Sequence, residues 1–366
     1  MKKITVLGAG MVGSAMAIDL SKDYYVTLCD ISENRLKQIS AGTGIKPLVK
    51  DLSDKQQVRE AAAEADIVVG AVPGFMGFET LKTVIESRRN VVDISFFNED
   101  PFQLDEFAKK NDVTAVVDCG VAPGLSNLIL GYHNERMKVD SFECYVGGLP
   151  TEKKWPYEYK APFSPVDVIE EYTRPARIKE NGRVIIRPAL SEPEMIDTEA
   201  GVLEAFNTDG LRSLLTTMKI PDMKEKTLRY PGHIELMRVL RETGFFNKEE
   251  IEIAGKMISP VDLTSKLLFP LWKPEEGEEE FTVLKLKIIG EEKKIEYSLF
   301  DKYDKSTRTS SMARTTGYTC TAVVNLVLNG DYTRKGISPP EFIGREGECY
   351  NKVLAYLAER KIKIKK

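Results

Sequence analysis

Along the first third of the chain, short apolar runs alternate with longer segments whose apolar residues recur every three to four positions. The short runs predict strands over 4–7, 26–30, 46–49, 67–71, 90–94 and 114–118. The longer segments predict helices near 12–22, 33–39, 55–64, 78–86 and 101–110. Six strands joined by crossovers of helical length describe an α/β Rossmann fold, a doubly wound parallel sheet with helices on both faces.

The pattern changes after Pro123. Residues 126–136 read as a connecting helix, and strand-like runs follow at 141–146 and 183–187. Strict alternation in TVLKLKII and KIEYSLF predicts a hairpin, 281–289 against 294–300, turning at Gly290-Glu291-Glu292-Lys293. This second part reads as an α+β domain built on a mainly antiparallel sheet. Helical periodicity returns at 315–329 and 351–361. The expected organisation is a Rossmann domain over 1–123, a substrate-binding and dimerisation domain over 124–310, and C-terminal helices over 311–366 that return to the Rossmann domain.

Composition narrows the class. No stretch of the 366 residues approaches the ~18 uncharged apolar positions of a membrane span. The N-terminus lacks a secretory h-region, and the expected location is the cytoplasm. A net charge of -4 argues against a nucleic-acid surface. The basic tail ERKIKIKK and the acidic run EEGEEE (275–280) read as solvated segments. Scarce glutamine beside abundant Lys and Glu matches thermophile composition. Five widely spaced cysteines and two histidines suggest neither a disulfide framework nor a metal centre.

The most specific motif is Gly8-Ala9-Gly10-Met11-Val12-Gly13, placed between the first strand and the first helix. In that context the glycines allow a tight turn, backbone approach to a pyrophosphate, and close helix–strand packing. Asp30 ends the second strand, where a carboxylate accepts ribose hydroxyls and repels a 2′-phosphate. No arginine follows immediately, Arg35 lying a turn into the next helix, so NAD is expected rather than NADP. Asp51 and Leu52 would lie beside the adenine. Ala71, Val72 and Pro73 would lie beside the pyrophosphate and nicotinamide ribose.

Several short motifs in order carry a family resemblance: GAGMVG, DCGVAPGLSN, GGLP, APFSP with EEYTRPA, RYPGH with RETGFF, and ARTTGY with GISPPE. With these the chain resembles the saccharopine dehydrogenase-like family over nearly its whole length. Within it, the likeness is to compact L-lysine 6-dehydrogenases of the archaeal, Pyrococcus type. The resemblance implies oxidative deamination of L-lysine at Cε. Hydride passes to NAD, water adds to the iminium, ammonia leaves, and the 6-semialdehyde cyclises to piperideine-6-carboxylate. The alternatives are a saccharopine or carboxynorspermidine dehydrogenase, or a non-catalytic NAD-binding sensor.

That chemistry needs a proton acceptor for the ε-ammonium and a cation for the α-carboxylate. His233 follows a Tyr-Pro-Gly turn and opens a predicted helix, where the dipole favours the neutral imidazole; it is a candidate base or substrate hydrogen-bond partner, or a packed cap. Asp118 and Asp93 end predicted strands and could orient substrate or serve as base, or simply cap turns. Arg229, Arg238, Arg174 and Arg314 are carboxylate-clamp candidates, each of which could instead form a surface ion pair, and Tyr159 is a weaker candidate. Trp155 and Trp272 are expected to pack rather than stack on substrate. Cys119, in VVDCGVAPGLSN, is expected to line the site beside flexible Gly120 without being chemically consumed. A homodimer is expected.

Overall fold

The computed structural model describes residues 1–366 except Glu276. The elements run in chain order as β1 (Lys3–Leu7), α1 (Met11–Leu20), β2 (Tyr25–Asp30), α2 (Glu33–Ser40), β3 (Lys46–Val49), α3 (Lys55–Ala62), β4 (Ile67–Gly70), α4 (Gly74–Glu86), β5 (Asn90–Asp93), a 3-10 turn (Pro101–Leu104), α5 (Asp105–Lys110), β6 (Thr114–Val116) and α6 (Leu125–Asn134). There follow β7 (Ser141–Pro150), α7 (Pro165–Thr173), β8 (Ala176–Glu180), β9 (Arg183–Arg187), β10 (Glu194–Thr198), β11 (Gly201–Asn207), α8 (Leu214–Thr217), β12 (Asp222–Arg229), α9 (His233–Glu242), β13 (Ile251–Ile253), β14 (Lys256–Ile258), α10 (Pro260–Trp272), β15 (Glu280–Gly290) and β16 (Lys293–Lys302). The chain closes with α11 (Ser311–Leu328), β17 (Gly336–Ser338), α12 (Pro340–Arg345), α13 (Gly347–Glu359) and β18 (Ile364–Lys365).

Two compact units result, Met1–Lys138 with Met312–Lys363, and Val139–Ser311 with Ile364–Lys366. In the first, seven strands form a wholly parallel sheet in the order β17-β6-β5-β4-β1-β2-β3. Every residue of β4 (IVVG) is buried, as a central strand covered on both faces requires. The order reverses between β1 and β4, which leaves the switch-point crevice outside their carboxyl ends. Helices α2 and α3 start on side-chain caps, Ser32 accepting from Arg35 N and Asp54 from Gln56 N.

Helix α1 carries one buried charge. Asp19 accepts from Arg360 Nε at 2.9 Å, Tyr356 Oη at 2.7 Å and Thr321 Oγ1 at 2.8 Å, tying the late helices to the first one. Burial opposes ionisation, but the Arg360 guanidinium and these donors hold the carboxyl below its usual range.

Several sequence expectations need correction here. The last predicted strand stops at Val116, because Asp118 takes a left-handed φ of 54° that ends the extended run. Helix α4 starts at Gly74, directly after Pro73, rather than at 78. The helix over 101–110 divides into a 3-10 turn and α5. A seventh parallel strand, β17, was not anticipated. Helix α6, placed at the start of the second domain, falls in the first unit: Gly131 and Gly344 carry no Cβ, which lets α6 and α12 touch through backbone.

In the second unit the sheet order is β10-β11-β12-β7-β15-β16-β18, with β8 on β12 and β9 on β8. Among the described residues of this sheet only β7 and β12 pair in parallel; the other pairs are antiparallel. The β15–β16 hairpin turns at Glu291 and Glu292, with φ of 50° and 60°, the primed geometry that suits strand twist. The basic tail is not wholly solvated, since Ile362 is buried and Ile364 pairs with Leu299. The acidic run likewise extends into the fold: Glu280 is buried and accepts from Ser311 N. The part of that run at Glu276 lies outside the described residues.

Candidate functional site

In the first unit the glycine loop is shaped by contact, not by flexibility. Gly8 has φ 105°, and a Cβ there would stand 2.4 Å from Ala71 O. A Cβ on Gly13 would stand 2.0 Å from Gly8 O. Gly10 is the exception, with nothing within 4 Å of its would-be Cβ. It is exposed and caps α1 without a side-chain hydrogen bond, leaving the first turn's N–H groups available to an anion. Met11 and Val12 form the outer rim of that turn. This open cradle at a helix start fits a dinucleotide pyrophosphate.

Asp30 stands at the end of β2. One carboxylate oxygen accepts from Ala9 N at 2.7 Å and the other from Ser32 N at 2.9 Å. The Arg35 guanidinium donates to Ala9 O, so a carboxylate and a cation grip opposite ends of one loop residue. Asp51 accepts from the Ser53 hydroxyl at 2.6 Å and N–H at 2.9 Å, and these bonds hold its carboxyl below the usual range. Leu52 packs against the apolar core. Ala71 is half-buried, Val72 buried, and Pro73 exposed at the start of α4.

Asp93 ends β5, and Asp118 and Cys119 follow shortly after β6. Asp93 is 1% exposed and accepts from Ser95 N at 2.5 Å and Ser95 Oγ at 3.3 Å. A Cβ on Gly70 would come within 2.1 Å of an Asp93 carboxylate oxygen, so that glycine makes room for the charge. Cys119 N donates to Asp93 O at 3.0 Å, and its thiol meets that of Cys320. Burial, then the Cys119 contact, pushes the Cys320 thiol well up, which disfavours thiolate chemistry there. The following turn closes on itself: Gly124 has φ 139°, and a Cβ there would fall 1.8 Å from Gly120 O.

The second unit buries a polar cluster around Arg229, which ends β12 and is 2% exposed. Its Nε donates to Tyr172 Oη at 3.0 Å and Nη1 to Leu228 O at 2.9 Å. Nη2 donates to Tyr159 Oη at 3.4 Å and to Glu171 Oε2 at 2.6 Å. The guanidinium carbon lies 4.5 Å from the centre of the Tyr159 ring. His233 opens α9 behind Gly232, whose φ of 93° makes the turn. Its Nε2 pairs with Tyr172 Oη at 2.9 Å and its Nδ1 with Tyr157 O at 2.9 Å. The carbonyl requires Nδ1–H, leaving Nε2 to accept the tyrosine proton. Burial, and then the Arg229 cation, lower the His233 pKa to about 3. Both causes favour the neutral ring. Both its nitrogens are engaged.

Of the other arginines, Arg174 bears on this cluster only through its charge near Glu171. Arg238 is exposed and pairs with Glu235 within its own helix. Arg174, at the end of α7, pairs with Glu170 at 3.3 Å. Arg314 belongs to the first unit, where it donates to Arg360 O at 3.1 Å. Trp272 is fully buried against Tyr157, Tyr159 and Tyr172, whereas Trp155 is 90% exposed and does not pack. Glu171, Tyr172, Tyr157 and Ser95 carry no site role in the sequence analysis, although EEYTRPA contains the first two. The pair Glu171-Tyr172, a carboxylate and a phenol within an amphipathic run, was the available signal.

Residues 4–116 match the family described as "Saccharopine dehydrogenase NADP binding domain", and 120–362 match "Saccharopine dehydrogenase C-terminal domain". The chain belongs to the saccharopine dehydrogenase family. Among curated relatives, a saccharopine dehydrogenase [NADP(+), L-glutamate-forming] of Pyricularia oryzae is 25% identical over 73% of this chain and 63% of its own. An alpha-aminoadipic semialdehyde synthase of Arabidopsis thaliana is 27% identical over 67% of this chain and 25% of its own. The matched region thus spans between a quarter and two thirds of these relatives' length. The apo saccharopine dehydrogenase (L-Glu forming) of Saccharomyces cerevisiae has the same fold, with TM-score 0.79 and 20% identity over 100% of this chain and 99% of that one. The family match makes residues 4–116 a nucleotide-binding domain of the saccharopine dehydrogenase type. The narrower likeness to lysine 6-dehydrogenases rests on the sequence motifs alone.

Proposed function

We propose that this family member is an NAD-dependent amine dehydrogenase acting on L-lysine: lysine, NAD and water give the 6-semialdehyde, ammonia, NADH and a proton. One observation carries the choice of substrate. The buried cations of the second unit's sheet are already matched, Arg229 by Glu171 at 2.6 Å and Lys226 by Glu194 at 2.8 Å. Four of the five Arg229 donors are occupied. Such a guanidinium can help hold one carboxylate; saccharopine brings several, each needing a desolvated cation.

The bound nicotinamide would supply the hydride acceptor. In this chain the Gly10 turn and the start of α1 would hold the pyrophosphate, and Asp30 would receive the ribose hydroxyls. Asp93 and Asp118 are the carboxylates proposed to orient the ε-ammonium and take its proton, which must leave before Cε can release hydride. Cys119 lines that wall without reacting. Within the second unit, Arg229 and Tyr159 are proposed as groups for a substrate carboxylate, and His233 as the group that fixes Tyr172 rather than as base. A homodimer belongs to the same reading, to be measured by light scattering.

The names of the relatives favour a second reading, a glutamate-forming saccharopine dehydrogenase using NADP. Absorbance at 340 nm separates them. Lysine with NAD should give NADH without 2-oxoglutarate, at a kcat/KM at least about 100-fold above that for saccharopine or carboxynorspermidine. Faster turnover of saccharopine would replace the lysine reading, and cofactor binding without turnover of any amine would leave a sensor.

A further inference from the structure

Helices α9 and α10 are apolar on two sides. Inward, α9 buries His233 and Met237, and α10 buries Thr264, Leu268 and Trp272. His233 and Trp272 thereby meet the tyrosines around Arg229. Outward, α10 shows Leu263, Leu267 and Leu271 to solvent at a spacing of four, and α9 shows Leu236 and Val239. Residues four apart line one side of a helix, so α10 carries a second apolar stripe. A surface helix needs one such stripe; a helix that is apolar all round is a covered one.

The segment between these helices has the same character. Strands β13 and β14 are three residues each and, among the described residues, pair only with one another. A lone two-stranded hairpin is marginal in water, and this one exposes Ile251, Ile253 and Met257. Val261 N donates to Asn247 O at 3.0 Å and Thr264 Oγ1 to Phe245 O at 2.8 Å, which ties the start of α10 to the chain just after α9. The exposed apolar residues of α9, the hairpin and α10 leave on the order of 800 Å² in water, above the largest apolar patch of a typical monomer and about what each partner gives to a standard interface.

We propose that a second copy of the chain seats on this face, and that the Arg229 cluster depends on it, because the two helices covered from outside are those that bring His233 and Trp272 to the cluster from inside. This rests on the homodimer reading above and adds to it the face and its link to the candidate site. Charge favours a copy over a lipid surface. Between residues 233 and 272 six acidic and five basic side chains are interspersed. A twofold interface needs a surface that complements itself, which mixed charge permits, whereas an anionic membrane selects a basic excess. Helices gripped on both sides hold His233 against Tyr172 and Trp272 against Tyr159; in a monomer their outer stripes are wet and the cluster loosens.

Sedimentation equilibrium of the full chain tests the face. The parent should sediment at twice its 41.1 kDa at micromolar concentration. Leu267→Glu puts an unpaired carboxylate into the contact and should raise the dimer dissociation constant at least about 100-fold. Leu236→Glu on α9 is the second probe; both positions are exposed, so the fold should survive, as circular dichroism will check. Ile186→Glu, at an exposed residue of β9, is the control and should stay dimeric. Fluorescence reads the link to the cluster. Trp155→Phe leaves buried Trp272 as the one indole of the chain, and acrylamide should quench it several-fold faster once Leu267→Glu is added. A monomeric parent overturns the homodimer reading together with the face, and its co-sedimentation with phosphatidylserine vesicles would assign the face to a membrane. A dimer that survives Leu267→Glu and Leu236→Glu, or that Ile186→Glu splits instead, overturns the face alone. A split dimer whose Trp272 stays as shielded as before overturns the link to the cluster. No substrate enters these measurements, so the lysine reading stands or falls separately.

Discussion

The glycine loop of the first unit and the Arg229 cluster of the second treat polar groups in opposite ways. Around Gly10 the backbone donors of a helix start face open space, with no side chain capping them. Around Arg229 nearly every donor already has a protein acceptor, and His233 spends both ring nitrogens. An arrangement left open costs stability and is ready for a ligand. A closed arrangement orders its own core and offers little that is unspoken for. Residue type alone does not distinguish a binding group from a structural one; the count of partners shows how much of a group is left to bind.

The strongest way to break this contrast is to open the closed cluster. Arg229→Met should destabilise the second unit by about 3 kcal/mol, because it leaves Glu171 unmatched and strips Tyr172 and Tyr159 of their donor. Urea unfolding reads the loss, and a change below about 1 kcal/mol would show that the cluster is not closed in the sense argued. Closing the open loop is the converse. Gly13→Ala places a Cβ against Gly8 O and should weaken NAD binding about 100-fold, roughly 2.7 kcal/mol, with the far-UV spectrum unchanged.

A third test uses acid. His233 ionises near 3 in the fold and near 6.5 when unfolded, so between those values the unfolded chain binds the extra proton. Its contribution to stability is therefore complete above pH ~6.5 and declines as pH falls towards 3, by about 2 kcal/mol at pH 5. His233→Asn should flatten the unfolding free energy between pH 7 and 5; an unchanged slope would falsify the neutral buried ring. The smallest effect is expected at the strand ends. Cys119→Ser should cost less than about 1 kcal/mol and leave appreciable turnover, whereas abolished activity in a folded, NAD-binding variant would return the thiol to the chemistry.

Sequence and structure agree best where information is local. Buried runs such as IVVG and NVVD cover a strand on both faces, and five of the six expected parallel strands lie within a residue of expectation. The glycine fingerprint is likewise legible because Gly8 and Gly13 each answer to a close backbone neighbour. What escaped depends on distant residues. Strand β17 is three residues long and is defined only by its register on β6, with Gly336 opposite Thr114. The partners of Arg229 arrive from α7, and nothing in RYPGH announces Glu171 or Tyr172. Asp19 within SAMAIDL was a readable anomaly, a carboxylate on an otherwise apolar helix, and its partner Arg360 waits near the far end of the chain.

That seventh strand also has a bearing on biosynthesis. A ribosome delivers β6 long before β17, with the whole Val139–Ser311 unit made in between. Until residue 336 emerges, the β6 edge of a nearly finished sheet has no neighbour on that side. Its bare amides are a template for a neighbouring nascent chain. The interval between those two strands is therefore when this polypeptide has most need of a chaperone.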